Sequence, residues 1–216
     1  MPRYYPAYLD IRDKKCLVLG GGAVAERKVG LLLNCEARIC VVSPDLSPGL
    51  EELNIRGQIE YIRGEFKEEY LEGLFLVVGA TDKKETNIRI YTEAVKRGIL
   101  VNIADSPELC SFLVPSVVER GDLIISISTC GKSPALAKKI REELEDRYGI
   151  EYAEFLSIMG KLRDKIPIKI LDKNKREEVY KKLVYSPIID LIKDGKNESV
   201  RTMINEIINP KNAFEK

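Results

Sequence analysis

The feature that most constrains the fold is a glycine-rich turn between a short apolar run and an amphipathic segment. The apolar run covers residues 15–20 and leads into Gly20-Gly-Gly22. After the turn, apolar residues recur at helical spacing from Ala23 to about Leu33. A short continuous apolar run of this kind is typical of a parallel strand buried on both faces. The order of strand, glycine turn and helix predicts the start of a β-α-β unit.

Strand and helix patterns alternate through the rest of the first half. A second buried strand is predicted at residues 38–42, where Ser43-Pro44 stops it. Further strands are predicted at 58–62, 74–78 and 99–103, with a helix at 86–97 closed by Gly98. This alternation predicts an α/β fold with a doubly wound parallel sheet of the Rossmann type.

The pattern changes after residue 110. Two β-branched runs, at 111–118 and 122–128, are separated by Glu119-Arg-Gly121 and predict an antiparallel pair. Ser133-Pro134 is a good N-cap and first position for a helix that ends near Tyr148. Its buried stripe is predicted to be Leu136, Ile140 and Leu144.

The remaining sequence is helical in pattern. One apolar stripe runs from Tyr152 to Leu162 and another from Val200 to Ile208, with charged linkers predicted around 165–176. Ser186-Pro187 and Gly195 bracket a short helix, and the tail beyond Pro210 is expected to fray. We therefore predict three parts: a Rossmann domain at 1–110, a small α+β dimerisation module at 111–149 and a helical C-terminal domain at 150–216.

Composition narrows the chemistry. The formal net charge is +1, which gives no global electrostatic reason to bind nucleic acid, and no apolar run is long enough for a membrane helix. Five scattered cysteines without a CxxC pair fit reduced thiols in the cytoplasm and no structural metal. The chain has no histidine, so acid-base chemistry must use a carboxylate, Lys, Tyr or Cys.

The glycine turn predicts a dinucleotide site. Gly20, Gly22 and Ala25 match the GxGxxA pattern, with the first glycine for the tight turn and the second for close approach of a pyrophosphate. The residue Ala25 allows the helix to pack closely on the strand. Phosphate then meets the helix N-terminus at Ala23 and Val24. The alternative is a glycine turn with no ligand.

Two other strand ends contribute to the predicted cofactor site. The acid that commonly binds the adenosine ribose is expected at the end of the second strand. That position is Ser43 here, and Pro44 and Asp45 follow it. This arrangement favours NAD while leaving NADP open. After the fourth strand, Gly79 and Ala80 are expected to make room for cofactor and Thr81 to contact it. For Gly79, tight packing on the next helix is the alternative.

Asp105 is the predicted general base. It follows the fifth strand in Asn102-Ile-Ala-Asp-Ser-Pro107, so it lies at the same edge of the sheet as the glycine turn. Burial beside a cofactor is expected to raise its pKa towards the working range. The alternative is that this aspartate caps the turn at Ser106-Pro107.

These motifs in combination resemble the precorrin-2 dehydrogenase family, which includes bifunctional ferrochelatases and the N-terminal part of sirohaem synthases. The resemblance covers about residues 1–150. It rests on Gly20-Gly-Gly22, Ala80-Thr-Asp82, the Asp105 segment with Ser111-Phe112 and Pro115-Ser116, and residues 128–137, which read Ser-Thr-Cys-Gly-Lys-Ser-Pro-Ala-Leu-Ala.

The resemblance implies that precorrin-2 is oxidised to sirohydrochlorin with NAD as hydride acceptor, by a homodimer in which Asp105 is the key aspartate. Because the substrate carries acetate and propionate groups, nearby cations and hydroxyls are expected to bind it. The candidates are Arg120, Lys132, Ser128 and Thr129, with Arg27, Lys28 and Lys138 as further cations. For the cations the alternative is a solvated surface charge, and for the two hydroxyls it is simple turn formation.

Two alternatives stay open at this point. One is a bifunctional dehydrogenase and ferrochelatase, since Asp105 could also accept pyrrole protons during metal insertion. The other is an NAD-sensing regulatory module without turnover, which the glycine motif alone does not distinguish from an enzyme.

Overall fold

The computed structural model describes residues 4–210, and the chain divides into two compact units after Val114. The first unit is built on a parallel sheet and the second is mostly helical. Within the described range, no helix combines the length and apolarity needed to cross a membrane. The predicted fraying beyond Pro210 falls on residues outside that range.

The sheet of the first unit has five parallel strands in the order β3-β2-β1-β4-β5. This confirms the predicted α/β fold with a doubly wound sheet. Because β2 lies on one side of β1 and β4 on the other, the crevice at the carboxyl end of β1 is where ligands bind in such sheets. The strands are β1 (Lys15–Leu19), β2 (Arg38–Ser43), β3 (Glu60–Arg63), β4 (Leu76–Gly79) and β5 (Leu100–Ile103).

Successive residues of β1 enter opposite cores, which explains its unbroken apolar run. Cys16 and Val18 pack with helices α1 (Ala23–Asn34) and α2 (Pro48–Ile55) on one face. Leu17 and Leu19 pack with α3 (Lys84–Lys96) and a short 3-10 helix at Glu68–Leu71 on the other. Each fully buried aliphatic side chain of this size contributes roughly 1.5–3 kcal/mol.

Helix α2 is absent from the sequence prediction. It begins with Pro48 and is capped by Ser47, whose Oγ accepts a hydrogen bond from the Leu50 amide at 3.4 Å. The Ser-Pro pair is the same signal that predicted the later helix at Ser133-Pro134. The helix has eight residues and only Leu50 is fully buried, so its apolar periodicity is weak.

The second unit begins with an antiparallel pair, β6 (Ser116–Arg120) and β7 (Leu123–Ile127), as predicted. Gly121 makes the turn between them at φ +60°. The strand predicted from residue 111 begins only at Ser116. The reason is that Ser111 is already paired with β5, where its Oγ accepts from the Val101 amide at 2.9 Å.

Helix α4 (Pro134–Arg147) has the predicted cap, since Ser133 Oγ accepts from the Leu136 amide at 3.2 Å. Its predicted stripe is only partly correct. Ala137 is the buried residue of the helix, whereas Leu136 is 47% exposed and Ile140 and Leu144 are half-buried. The apolar face of α4 therefore has area in this chain that nothing within the described residues covers completely.

The remaining helices surround a separate apolar core. The two predicted stripes enter it through Phe155 and Val200. The linker predicted at 165–176 is wrong, because both flanking helices extend into it and only 170–172 separates them. Asp172 caps the second of these helices through the Lys175 amide at 2.9 Å. The helices are α5 (Glu151–Lys169), α6 (Lys173–Val184), α7 (Ile188–Lys193) and α8 (Asn197–Ile208).

Candidate active site

The glycine turn after β1 is held against the strand ends on both of its sides. Gly20 has φ +122°, and a Cβ there would overlap the carbonyl oxygen of Ala80. A Cβ at Gly21 would overlap the carbonyl oxygen of Asp45 and lie 2.7 Å from Ser43 Oγ. Sequence reasoning did not single out Gly21, because its neighbours come from a distant part of the chain. These contacts hold the turn between the ends of β2 and β4.

The third glycine has a different environment. Nothing lies within 4 Å of the position a Cβ would take at Gly22, which is the N-cap of α1. Behind it, Ala25 is fully buried, as close helix-strand packing requires, while Ala23 and Val24 are exposed. The first amides of a helix have no acceptor within the helix, so they can bind an anion that approaches over Gly22. The residues present fit a dinucleotide pyrophosphate.

A cavity of about 380 Å³ opens beside this turn at the carboxyl edge of the sheet. Ser43 and Pro44 form part of its wall after β2, and Ala80 and Thr81 form part after β4. The predicted cofactor residues from three strands therefore meet at one cavity. Its wall also contains residues that the sequence analysis did not name, namely Gly64, Glu65, Phe66, Lys83 and Thr86.

The glycine that ends β4 has a packing role. Gly79 is buried, and a Cβ there would lie 2.5 Å from Ile103 Cδ1 and 3.3 Å from Asn87 Oδ1. It is not part of the cavity wall, so the alternative of tight packing replaces the expected room for cofactor. The next polar residue is held in place by α3: Thr81 Oγ1 donates to Asn87 Oδ1 and Asn87 Nδ2 donates to Thr81 O, each at 2.9 Å.

Asp105 follows β5 at the same edge of the sheet. Its φ is +57°, a left-handed conformation that aspartate adopts more readily than most residues. The side chain is exposed and accepts no hydrogen bond from the described residues, so the expected burial is not produced by the polypeptide itself. The short 3-10 helix Pro107–Leu109 has Ser106 at its N-cap position, which removes the capping alternative for Asp105.

A half-buried polar cluster lies next to Asp105. Lys28 Nζ, on α1, donates to Asn102 Oδ1 at 3.3 Å, and Asn102 Nδ2 donates to Phe112 O at 3.1 Å. Cys110 Sγ donates to Ser106 O at 3.2 Å. Burial lowers the pKa of Lys28 and Arg27 lowers it further, whereas Cys110 and Asp105 oppose this shift. A partly desolvated cation, bonded to Asn102, thus lies within electrostatic range of the exposed carboxylate.

The predicted substrate residues of the second unit do not form one cluster. Arg120 lies at the turn end of the β6-β7 hairpin, since it pairs with Leu123, and it donates to Glu119 O at 2.8 Å. Ser128 follows β7 at the opposite end, where Ser116 pairs with Ile127. The strand register therefore places these two candidates at opposite ends of the hairpin.

The turn after β7 uses its own hydroxyl groups. Ser128 Oγ accepts from the Cys130 amide at 3.1 Å, and Thr129 Oγ1 both accepts from Ser133 N and donates to Ser133 O at 3.1 Å. Cys130 has φ +52°, so these bonds support a strained turn. Lys132 is exposed. Among residues 4–210, no group of three or more His, Cys, Asp or Glu side chains is arranged to hold a metal ion.

The fold and the glycine turn define a nucleotide-binding protein of the Rossmann type. Residues 7–116 match the family model described as putative NAD(P)-binding, and residues 120–147 match the one described as sirohaem biosynthesis protein, central. The chain belongs to the NAD(P)-binding family of sirohaem biosynthesis to which its sequence motifs pointed.

Two curated relatives are sirohaem synthases. The one from Photorhabdus laumondii is 34% identical over 203 residues, which are 94% of this chain and 43% of the relative. Siroheme synthase 3 of Aeromonas hydrophila is 38% identical over 181 residues, which are 84% of this chain and 39% of the relative. The chain thus spans about two fifths of the length of these relatives.

A solved structure matches along nearly the whole chain. It is SirC, a precorrin-2 dehydrogenase, with a TM-score of 0.80 and 29% sequence identity. The match covers 94% of this chain and 98% of that chain, so the likeness includes both units.

Proposed function

We propose that this protein is a precorrin-2 dehydrogenase that uses NAD and forms sirohydrochlorin. The observation that carries the proposal is the position of Asp105, an exposed carboxylate at the same sheet edge as the glycine turn and its cavity. The similarity to a solved precorrin-2 dehydrogenase over 94% of the chain supports the same reaction.

The glycine turn and the two adjacent strand ends would hold NAD. The open space over Gly22 admits the pyrophosphate to the amides of Ala23 and Val24, and Ser43, Pro44, Ala80 and Thr81 would line the rest of its site. Bound there, NAD supplies the hydride acceptor of the reaction. Thr81 is kept in one orientation by Asn87, so the polar contact at this wall is preorganised.

Asp105 would take the proton that leaves the substrate with the hydride. The oxidation removes two hydrogens from precorrin-2: a hydride, with its electron pair, passes to NAD, and a proton passes to the carboxylate and then to water. An exposed carboxylate with no internal hydrogen bond has both oxygens available for this step. Lys28, held by Asn102, places positive charge near the acidic side chains of the substrate.

We further infer a cytoplasmic homodimer that binds no nucleic acid. Leu136 on α4 and Val117 on β6 are exposed apolar residues of the segment predicted to be the dimerisation module at 111–149, and a second copy would cover them.

The cysteines support the proposed cytoplasmic location. All five cysteines are free, and burial raises the pKa of Cys16 and of Cys40 to about 11, as suits unreactive thiols. We also propose that the chain has the three predicted parts, with boundaries at residues 110 and 149.

The test is an anaerobic assay of the purified chain with precorrin-2 and NAD, in which the macrocycle and NADH absorption bands are recorded together. The proposal predicts one NADH for each sirohydrochlorin formed. Cofactor binding without conversion would favour the NAD-sensing module. Adding cobalt or iron after conversion tests the bifunctional alternative, for which enzyme-dependent insertion into sirohydrochlorin is the required result.

A further inference from the structure

An ion pair joins the ends of β2 and β3 beside the cofactor cavity. Arg63 NH2 donates to Asp45 Oδ1 at 3.1 Å, and Arg63 Nε donates to the Pro44 carbonyl at 3.0 Å. Tyr61, on the same strand as Arg63, donates its hydroxyl to Ser43 O at 3.0 Å. The segment 43–45 is therefore held by β3 on one side and, through the carbonyl of Asp45, lies against Gly21 on the other.

The Asp45–Arg63 ion pair lies between the cofactor cavity and a neighbouring groove. Ser43 and Pro44 belong to the wall of the 380 Å³ cofactor cavity, and so does Gly64, the residue after Arg63. Asp45 and Arg63 line a neighbouring groove of about 290 Å³, together with Tyr61, Glu51 and others. A nucleotide seated on the glycine turn has its adenosine ribose at this end of β2, as in related sheets.

The two side chains have opposite preferences for the ribose 2′ position. In Rossmann sites a carboxylate at the end of the second strand binds the free 2′-hydroxyl of NAD, whereas a nearby arginine accommodates the 2′-phosphate of NADP. Here both are present and bound to each other. Asp45 and Arg63 are 85% and 76% exposed, and exposed pairs of this kind contribute little to stability, so the pair can open without unfolding the segment.

We propose that the Asp45–Arg63 pair selects NAD over NADP. The carboxylate of Asp45 repels a 2′-phosphate and occupies a guanidinium donor that such a phosphate would need. Glu51, which lines the same groove, adds a second negative charge on this side. The inference deepens the proposed function, yet it rests only on nucleotide binding and not on the dehydrogenase reaction.

The test compares binding of NAD and of NADP to the full chain by isothermal titration calorimetry, without precorrin-2. Asp45→Asn removes the charge and keeps the shape, and the double variant Asp45→Asn/Arg63→Met then removes the guanidinium. The matched control is Asp13→Asn, because Asp13 is also an exposed aspartate paired with an arginine, Arg38, which lies at the opposite end of β2.

We expect the wild type to bind NAD at least about tenfold more tightly than NADP, since repulsion between a carboxylate and a phosphate a few ångströms apart near a protein surface has roughly that effect. Asp45→Asn should tighten NADP binding by about tenfold, the double variant should lose this gain while NAD binding changes by less than about threefold, and Asp13→Asn should match the wild type. Equal affinity of the wild type for both nucleotides overturns the inference. The inference is also overturned if the tighter NADP binding of Asp45→Asn persists in the double variant without Arg63. It is equally overturned if the ratio of NAD to NADP affinity in Asp45→Asn equals that of the wild type. Loss of dehydrogenase turnover bears only on the proposed function.

Discussion

The sheet edge of the first unit and the turn after β7 in the second use their small and polar residues in different ways. At the sheet edge, Gly20 and Gly21 are required because backbone from other strands occupies the space of their side chains. The segment around the turn faces a cavity that is left open for a ligand. In the turn after β7, the hydroxyls of Ser128 and Thr129 bond to the turn itself. Polar residues that a sequence pattern assigns to a site are therefore not all available to a ligand.

This difference separates two kinds of sequence evidence. A glycine motif reports a backbone constraint, and the constraint can be verified from steric contacts alone. A serine or threonine after a strand is equally suitable for a ligand or for its own turn, and only coordinates distinguish these uses. Substitutions at the glycine turn and in the turn after β7 test this difference between the two regions.

The largest effect is expected for Gly21→Ala. Its Cβ would overlap the Asp45 carbonyl, so either the turn or the segment after β2 must move. We expect a loss of about 3 kcal/mol in the free energy of unfolding, together with loss of NAD binding. Denaturant unfolding and calorimetric titration measure the two effects.

Gly22→Ala is the matched control for that change. Nothing lies within 4 Å of its Cβ position and its φ of −89° suits alanine, so the stability should stay close to that of the wild type. NAD binding should still weaken by about tenfold, because the methyl group points where the pyrophosphate approaches. Equal stability losses in the two variants would contradict the steric account of the turn.

A smaller effect is expected for Thr129→Ala. The substitution removes two hydrogen bonds to Ser133, and we expect it to cost about 1 kcal/mol of stability without a change in KM for precorrin-2. Thr129→Ser keeps the hydroxyl and should restore the stability. If KM rises while thermal stability is unaffected, Thr129 is a substrate contact and the turn is not its main role.

The smallest effect concerns Lys28 and pH. Because burial lowers the pKa of Lys28 in the folded state, the unfolded chain binds more protons at pH values between that lowered pKa and the ordinary value of 10.5. Stability of the wild type should therefore rise with pH in that window, relative to Lys28→Met. Arg27, Asp105 and Cys110 are the charged or titratable groups acting on it. If the free energies of unfolding of the wild type and of Lys28→Met change in parallel from pH 7 to pH 10, the lowered pKa of Lys28 is contradicted.

The predicted fold depended on how strongly each element shows its period. The β1 run is short but unbroken, and the glycine turn and the twelve-residue helix α1 follow it directly, so the start of the sheet was predictable. Helix α2 was missed although Ser47-Pro48 precedes it, because one buried leucine gives no detectable stripe. The first turn of helix α6 was taken for a linker and the rest of the helix was not predicted, because its apolar contacts are confined to Val179, Leu183 and the partly buried Tyr180 within a charged segment.

The candidate site was predictable where the constraint is local in sequence. Gly20, Gly22 and Ala25 follow from one motif, and Asp105 follows from its place after a strand. The role of Gly21 and the pairing of Asp45 with Arg63 join residues about twenty positions apart, so no local pattern indicates them. The positions of Arg120 and Ser128 at opposite ends of the hairpin follow from the predicted turn at Glu119-Arg-Gly121, whereas the hydrogen bonds of Ser128 and Thr129 within their own turn do not follow from the sequence.

The most direct test of the central claim compares Asp105→Asn with Asp13→Asn in the anaerobic precorrin-2 assay. Both aspartates are exposed and both have φ of +57°, but Asp13 precedes β1 and lies at the opposite edge of the sheet. We predict that Asp105→Asn lowers kcat by at least about 100-fold while NAD affinity is retained, and that Asp13→Asn keeps wild-type turnover. Wild-type turnover by Asp105→Asn would show that the base lies elsewhere.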